Sequence, residues 1–340
     1  MTFVDEVKTA VTVRAALLVI GVLGLMVAFI ASYAGAFHSP KPKDIPFAVV
    51  APAQIAGQLT RQLNALPGGP LDVRTAKDEA DATRQLRDRG VDGVLVVDPR
   101  GTTDTLLVAS GGGASLSQAV ELVATAAEKA QQRTVKVVDV APADRDDARG
   151  LSSFYLVVGW CVGGYLCAAI LAISAGARPA NPHRALIRLG ALAVYSIAAG
   201  LLGSLIIGPV LGALPGSYLG LAGLGALVVF AVGATTLAFQ GLAGVVGIGL
   251  AILVIVVLGN PSAGGAYPYP LLPPFWRTIG PGLPPGAGTW AARSIAYFKG
   301  NSISGPLQVL SLWALLGAII TVLLAGLRRN RSETPTDARA

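Results

Sequence analysis

From Leu189 to Asn260 the chain runs 72 residues without one Asp, Glu, Lys or Arg. Soluble domains carry about a quarter charged residues, so water-exposed packing cannot absorb a block of that length. A bilayer requires one. The existing charge is segregated: 29 charged residues lie between Phe37 and Ser152. A mean hydropathy of +0.63 and a charged fraction of 13% follow from that split. The pattern implies a polytopic α-helical membrane protein with one small, mixed α/β domain facing water, and it excludes a soluble globular enzyme.

Six transmembrane helices are expected. The first is Ala15–Ala36, whose 22 residues suffice for ~30 Å of hydrocarbon at about 1.5 Å per residue. Lys8 and Arg14 before it and Ala34-Gly-Ala36 at its end also fit a cleaved leader, although such apolar regions usually run ~7–15 residues. Further runs are Phe154–Gly176, about Leu186–Leu211, Tyr218–Gly259 and Leu307–Leu327. The fourth of these five runs has 42 uncharged residues, enough for two crossings, with a hairpin expected at Phe239-Gln240-Gly241. The organisation is then an N-terminal segment 1–14, span 15–36, a domain 37–152, spans two to five in 153–259, a segment 260–306, span 307–327 and a tail 328–340.

Positive charge in short loops sets orientation. Arg178, Arg184 and Arg188 place the second loop in the cytoplasm; Arg328, Arg329 and Arg331 do the same for the tail. Residues 37–152 and 260–306 then lie outside, with both termini in the cytoplasm. Arg277, Arg293 and Lys299 run against the rule, but in a long segment such charges weigh less.

Residues 37–152 alternate strand and helix patterns: strands near Phe47–Ala51, Leu71–Thr75, Val91–Val97, Thr105–Ala109 and Val135–Val140, with helices near Gln54–Leu66, Asp78–Arg89 and Ser115–Arg133. One small mixed sheet is expected. Gly111-Gly-Gly113 lacks the lysine and hydroxyl of a phosphate loop and reads as a flexible turn. Asp144, Asp146 and Asp147 lack the glycine and distal glutamate of a calcium loop and read as a solvated linker. His38 and His183 fall on opposite membrane sides. Cys161 and Cys167 read as small buried apolar residues. No cofactor, metal, catalytic group or nucleic-acid contact is implied.

No charge lies inside a span, which argues against a proton-coupled carrier. Ser196, Ser204, Thr235, Thr236 and Gln240 read as helix-packing groups. Segment 260–306 combines eight prolines between Pro261 and Pro285 with many aromatics, too broken for a span and too apolar for a linker. Short helices lying at the outer interface or dipping into it, re-entrant, are expected. Tyr267, Tyr269, Phe275, Trp276, Arg277, Trp290 and Arg293 are candidates for an external gate; a passive interfacial cap is the alternative.

The order of these parts resembles the permease subunits of type-2 ABC exporters, in the phage-infection-protein-like (YhgE/Pip) branch. The resemblance rests on Phe154-Tyr-Leu-Val-Val-Gly-Trp-Cys-Val-Gly-Gly-Tyr-Leu166, Leu258-Gly-Asn-Pro-Ser-Ala-Gly-Gly265, Leu272-Pro-Pro-Phe-Trp-Arg-Thr-Ile-Gly-Pro281, Leu283-Pro-Pro-Gly286 with Arg293 and Tyr297-Phe298, and Asp92-Gly-Val-Leu-Val-Val-Asp-Pro99. It implies a bacterial cell-membrane protein working as a homodimer or with a related permease. A separate cytoplasmic ABC ATPase drives it, in keeping with the missing Walker motif. Thr2–Arg14 would be an amphipathic interfacial helix. The loop with Arg178, His183, Arg184 and Arg188 would couple to the ATPase, or else anchor to lipid headgroups. The domain is shorter than in many members of that branch. The expected function is export of an amphiphilic or hydrophobic substrate; the alternative is a non-transporting envelope scaffold whose domain binds a cell-wall or secretion partner.

Overall fold

The computed structural model describes residues 12–332. The amphipathic segment expected at 1–14 lies outside these residues up to Val11, as does the tail beyond Ser332. Helix α1 (Val13–Phe37) starts where the Thr12 hydroxyl accepts the Ala15 amide at 3.2 Å. It is apolar on every face and touches little else in the chain, as a helix surrounded by lipid tails can.

The sheet domain then unfolds as β1 (Ile45–Val50), α2 (Ala53–Asn64), β2 (Leu71–Thr75), α3 (Glu79–Arg87), β3 (Gly93–Val96), β4 (Thr103–Val108), α4 (Ala114–Ala130) and β5 (Thr134–Asp139). Strand order is β2-β1-β3-β4-β5. Strand β1 is parallel to β2 and β3, with Phe47 opposite Val73 and Gly93. Strand β3 pairs antiparallel with β4, which is parallel to β5. Both faces are covered. On one, Phe47, Val49, Leu95 and Leu106 pack under Leu59 and Leu63 of α2 and Leu116 and Val120 of α4. On the other, Ala48, Val94 and Leu107 pack under Ala82 and Leu86 of α3 and under Phe298 from far along the chain.

The helical part consists of α5 (Ser152–Ala175), α6 (Pro182–Leu205, continued by a wide turn to Val210), α7 (Tyr218–Ala243), α8 (Val246–Gly259), α9 (Pro274–Ile279), α10 (Pro284–Tyr297) and α11 (Ser304–Ser332). Five helices are long and apolar enough to cross a membrane: α1, α5, α6, α7 and α11. Helix α8 is equally apolar but spans only about 21 Å at 1.5 Å per residue, less than the hydrocarbon. Helix α7 lies at the centre, and glycines let its neighbours approach. A Cβ at Gly200 of α6 would lie 2.2 Å from the Ala222 carbonyl oxygen, and one at Gly164 of α5 2.7 Å from that of Val229. Hydroxyls in these helices bond to carbonyls: Ser196 to Leu192, Thr236 to Val232, and Thr235 across to Trp313.

One expectation is corrected by the structure. The hairpin after α7 is at Gly244, not Phe239-Gln240-Gly241. Gly244 has φ 64°, a left-handed conformation that glycine adopts without strain, whereas Gln240 is buried in the helix and donates to the Ala168 carbonyl at 3.2 Å. Segment 260–306 packs into the helix bundle. Ala287, Ala291 and Ala292 of α10 share a core with Val157 of α5 and Val228 of α7. Alanine and glycine along α10 make this possible, since a Cβ at Gly288 would already press Val157 at 2.7 Å.

Candidate functional site

The chain's two halves meet along a joint between the sheet domain and residues 262–303. It is built around two arginines. Arg293, on α10, is 3% exposed. Its guanidinium donates to the carbonyls of Gly264 at 2.7 Å, Gly265 at 2.8 Å and Gly150 at 3.0 Å. Gly150 belongs to the connection from the sheet domain into α5, so one side chain ties that connection to the loop after α8. Burial lowers the Arg293 pKa to about 10, with Tyr269 and Asp147 working in the opposite direction.

Arg89 approaches from the sheet domain, just past the end of α3. Its φ is 56°, uncommon for a residue with a side chain. In this pose its guanidinium lies over the Trp290 ring at 3.5 Å and near the Phe298 ring at 4.9 Å. It donates to the Trp290 carbonyl at 2.9 Å and the Ser294 hydroxyl at 2.8 Å. Such stacks contribute roughly 0.5–2 kcal/mol. Burial, then the neighbouring Arg293, lowers the Arg89 pKa to about 9. Burial raises the Asp92 carboxyl to about 6, with Arg89 limiting the rise. Tyr269 completes the group, stacked on Trp290 at 6.0 Å between ring centroids, its phenol raised above its usual pKa by burial.

Asp147 was expected in a solvated linker; it is 5% exposed. One carboxylate oxygen accepts the Leu151 and Ser152 amides, each at 2.9 Å, at the start of α5. The other accepts the Tyr297 hydroxyl at 2.9 Å. The unpaired amides at the first turn of α5 draw this aspartate inward. The glycine triplet is likewise more than a flexible turn. A Cβ at Gly111 would lie 2.5 Å from the Tyr297 ring and one at Gly113 2.5 Å from Pro268, where φ is also 137°. Only glycine permits the two halves to come this close.

The seven candidate gate residues separate into groups. Tyr269, Trp290 and Arg293 belong to the joint. Tyr267 packs on Phe37 at the end of α1, Trp276 lies against Ala36, and Arg277 donates to the Lys43 carbonyl at 2.8 Å and reaches Asp44 at 3.3 Å. These three hold the passage from α1 into the domain. Phe275 is exposed. Beside the joint, a cavity of about 720 Å³ opens between α10 and α11, bounded by Tyr269, Trp290, Pro281, Pro306, Val309 and Leu312.

At the other end of the bundle Arg178, His183 and Arg184 are exposed. Arg178 donates to the Leu242 carbonyl at 3.2 Å beside the Gly244 hairpin. Arg188 is apart from them, buried and donating to the Ala175 and Gly176 carbonyls at 2.7 and 2.8 Å. It caps the end of α5, a common use of a cation at a helix C-terminus. Sequence reasoning missed Arg89, Asp92 and Asp147. Only the glycine triplet carried a usable signal, as three residues without side chains at the edge of a sheet. Among the described residues no group of His, Cys, Asp or Glu could hold a metal ion. Comparison with protein-family profiles, curated proteins and solved structures finds no match for this chain.

Proposed function

We propose that this chain is the membrane-spanning permease subunit of an ATP-driven exporter, passing an amphiphilic or hydrophobic substrate outward. The observation that carries the reading is the cavity between α10 and α11. It joins lipid-facing apolar side chains of α11, such as exposed Leu312, to the aromatic pair Tyr269 and Trp290. An apolar mouth with a few polar groups at its inner wall suits an amphiphile. In this reading α8 is a short fifth crossing that α9 and the 260–273 loop complete, giving six. The sheet domain and the joint are extracytoplasmic, and both termini are cytoplasmic. Exposed Arg178, His183 and Arg184 form the surface for a separate ABC ATPase, while Arg188 supports that loop from within. The permease works as a homodimer or with a related chain.

The test is affinity purification of the tagged protein from native membrane in mild detergent, followed by mass spectrometry. A stoichiometric ATPase carrying a Walker motif, lost in the Arg178→Gln/Arg184→Gln variant, supports the reading. Recovery of cell-wall or secretion proteins with no ATPase overturns it in favour of an envelope scaffold. If the ATPase remains bound to the variant, the coupling surface lies elsewhere.

A further inference from the structure

The side of the sheet domain covered by α2 and α4 carries a second constellation. Strands β1 and β3 are parallel neighbours, and the chain leaves their carboxyl ends in opposite directions, β1 toward β2 and β3 toward β4. Ligand crevices in α/β sheets form at such divergences. Here a cavity of about 230 Å³ lies beside Val97, at the end of β3, between α2 and α4. It shares Gln62 and Gln131 with a second hollow of about 450 Å³ lined by Leu63, Leu66, Val123 and Ala127. The two form one groove, polar at one end and apolar at the other.

The polar end contains charge that the protein leaves incomplete. Asp104 of β4, wholly buried, receives Arg133 Nε and one terminal nitrogen, each at 2.6 Å, and the Asp98 amide at 2.8 Å. Burial opposes its ionisation, yet Arg133 and the amide outweigh that and hold Asp104 below the usual carboxylate range. Asp104 and Arg133 thus neutralise one another. Glu128 of α4 is 2% exposed and lines the same cavity. Its Oε2 is 3.7 Å from Arg133 Nε, and when protonated its carboxyl hydrogen-bonds to Asp104; in the ionised form its Oε1 has no donor among the described residues. A buried carboxyl oxygen left without a donor costs about 1–3 kcal/mol.

We propose that this groove binds a small organic cation, an ammonium on a short apolar chain, with the ammonium at Glu128 and the chain along Leu63, Leu66 and Val123. The inference does not depend on the transport reading. The ammonium supplies the missing donor and the charge that Asp104 and Arg133 leave uncompensated, and the apolar end gives the tail a place out of water. Burial and the adjacent Asp104 push the Glu128 carboxyl up to about 7. Asp104 and Arg133 are the charged groups facing it; α2 contributes Ile55, Gln58, Leu59 and Gln62, and the turn after β3 contributes Val97, none of them titratable. Below that pH Glu128 holds a proton where the cation would sit, so binding weakens as pH falls from 8 to 6.

The experiment uses the full chain in lipid nanodiscs at pH 8 with n-hexylammonium, n-hexanol and hexanoate as probes. Hydrogen exchange of amides 53–66 and 123–133 is followed by mass spectrometry. Hexylammonium is expected to slow exchange in both segments, hexanol only weakly, hexanoate not at all. Glu128→Gln is expected to weaken the hexylammonium effect about tenfold or more and to leave hexanol unchanged, which separates the site from partition into the bilayer. Equal protection by hexylammonium and hexanoate, or an unaltered response in Glu128→Gln, overturns the proposal. The three-probe comparison on the unmodified protein decides the matter if that variant does not fold.

Discussion

The joint and the helix bundle solve the same problem, holding two apolar-rich bodies together, with different chemistry. In the bundle, α5, α6 and α7 approach through Gly164, Gly200 and Gly233, and their polar side chains bond to carbonyls one turn away or across the interface. Among the described residues no ionic pair holds them. In the joint, two enclosed arginines reach carbonyls and aromatic rings across the boundary. The difference follows from the surroundings. Between helices in lipid, burying apolar side chains brings little gain, so close backbone packing decides association. At the joint the buried carbonyls of the 262–265 loop and the 150 turn need donors, and an arginine supplies several from one residue. Steric damage is therefore expected to disrupt both regions, but loss of a hydrogen-bond donor only the joint.

The largest effect expected is that of Arg293→Ala, which leaves the carbonyls of Gly150, Gly264 and Gly265 without their shared donor. At about 1–3 kcal/mol for each buried group the joint loses about 4 kcal/mol or more. Limited proteolysis should then cut near 150 and 264 while α7 remains protected. Bulk comes next. Gly113→Val in the joint and Gly200→Val in the bundle should each cost about 2–3 kcal/mol by overpacking, seen as lower denaturation temperatures in detergent. The first should expose the sheet domain to protease, and the second should loosen α6 from α7. If Gly200→Val behaves as wild type, the close approach attributed to that glycine is wrong.

Arg89→Ala should cost about 2 kcal/mol, from two hydrogen bonds and the stack on Trp290. Arg89→Lys should recover little, since an ammonium cannot stack as a planar guanidinium does. Full recovery by lysine would mean that charge, not stacking, holds the residue. The smallest effect concerns pH. Asp92 is raised to about 6, so the folded joint binds its proton more tightly than the unfolded chain. The stability this adds is complete below about pH 4 and is lost as pH rises through 6. The span is about 1 kcal/mol once partial exposure is allowed for. Asp92→Asn should flatten this part of the pH dependence, read as the difference in melting temperature between variant and wild type from pH 4.5 to 7.5.

Much of the scaffold was legible. Every strand and helix expected in residues 37–152 is present, because alternation at Leu71–Thr75 and helical periodicity in Gln54–Leu66 are local signals. The long apolar helices were legible for the same reason. Helix α8 is shorter than the apolar run Tyr218–Gly259 implies, since composition does not reveal that the chain turns only at Gly244. For segment 260–306 the sequence did not say which residues pack inward, because prolines and aromatics suit an interface and a protein interior equally well. Most of the site was not legible. Arg89 and Arg293 are 204 positions apart, and Asp92, Asp147 and Glu128 sit in patterns that solvated charges also make. Their roles come from folding alone. Arg188 is instructive in another way: its charge groups it with the loop residues, yet it lies in α6 and its hydrogen bonds serve the end of α5.

Sheet domain and bundle form one body through the Arg89–Arg293 joint. Native-state hydrogen exchange of the full chain in nanodiscs measures it. The amides of Gly264, Gly265 and Ala292–Ser294 should exchange as slowly as those of Phe47–Val49 in the sheet and Val228–Val232 in α7, because a joint held by these contacts opens only when the core does. Exchange a hundredfold faster at 264–265 and 292–294, with both cores still protected, would contradict it and make the joint a hinge.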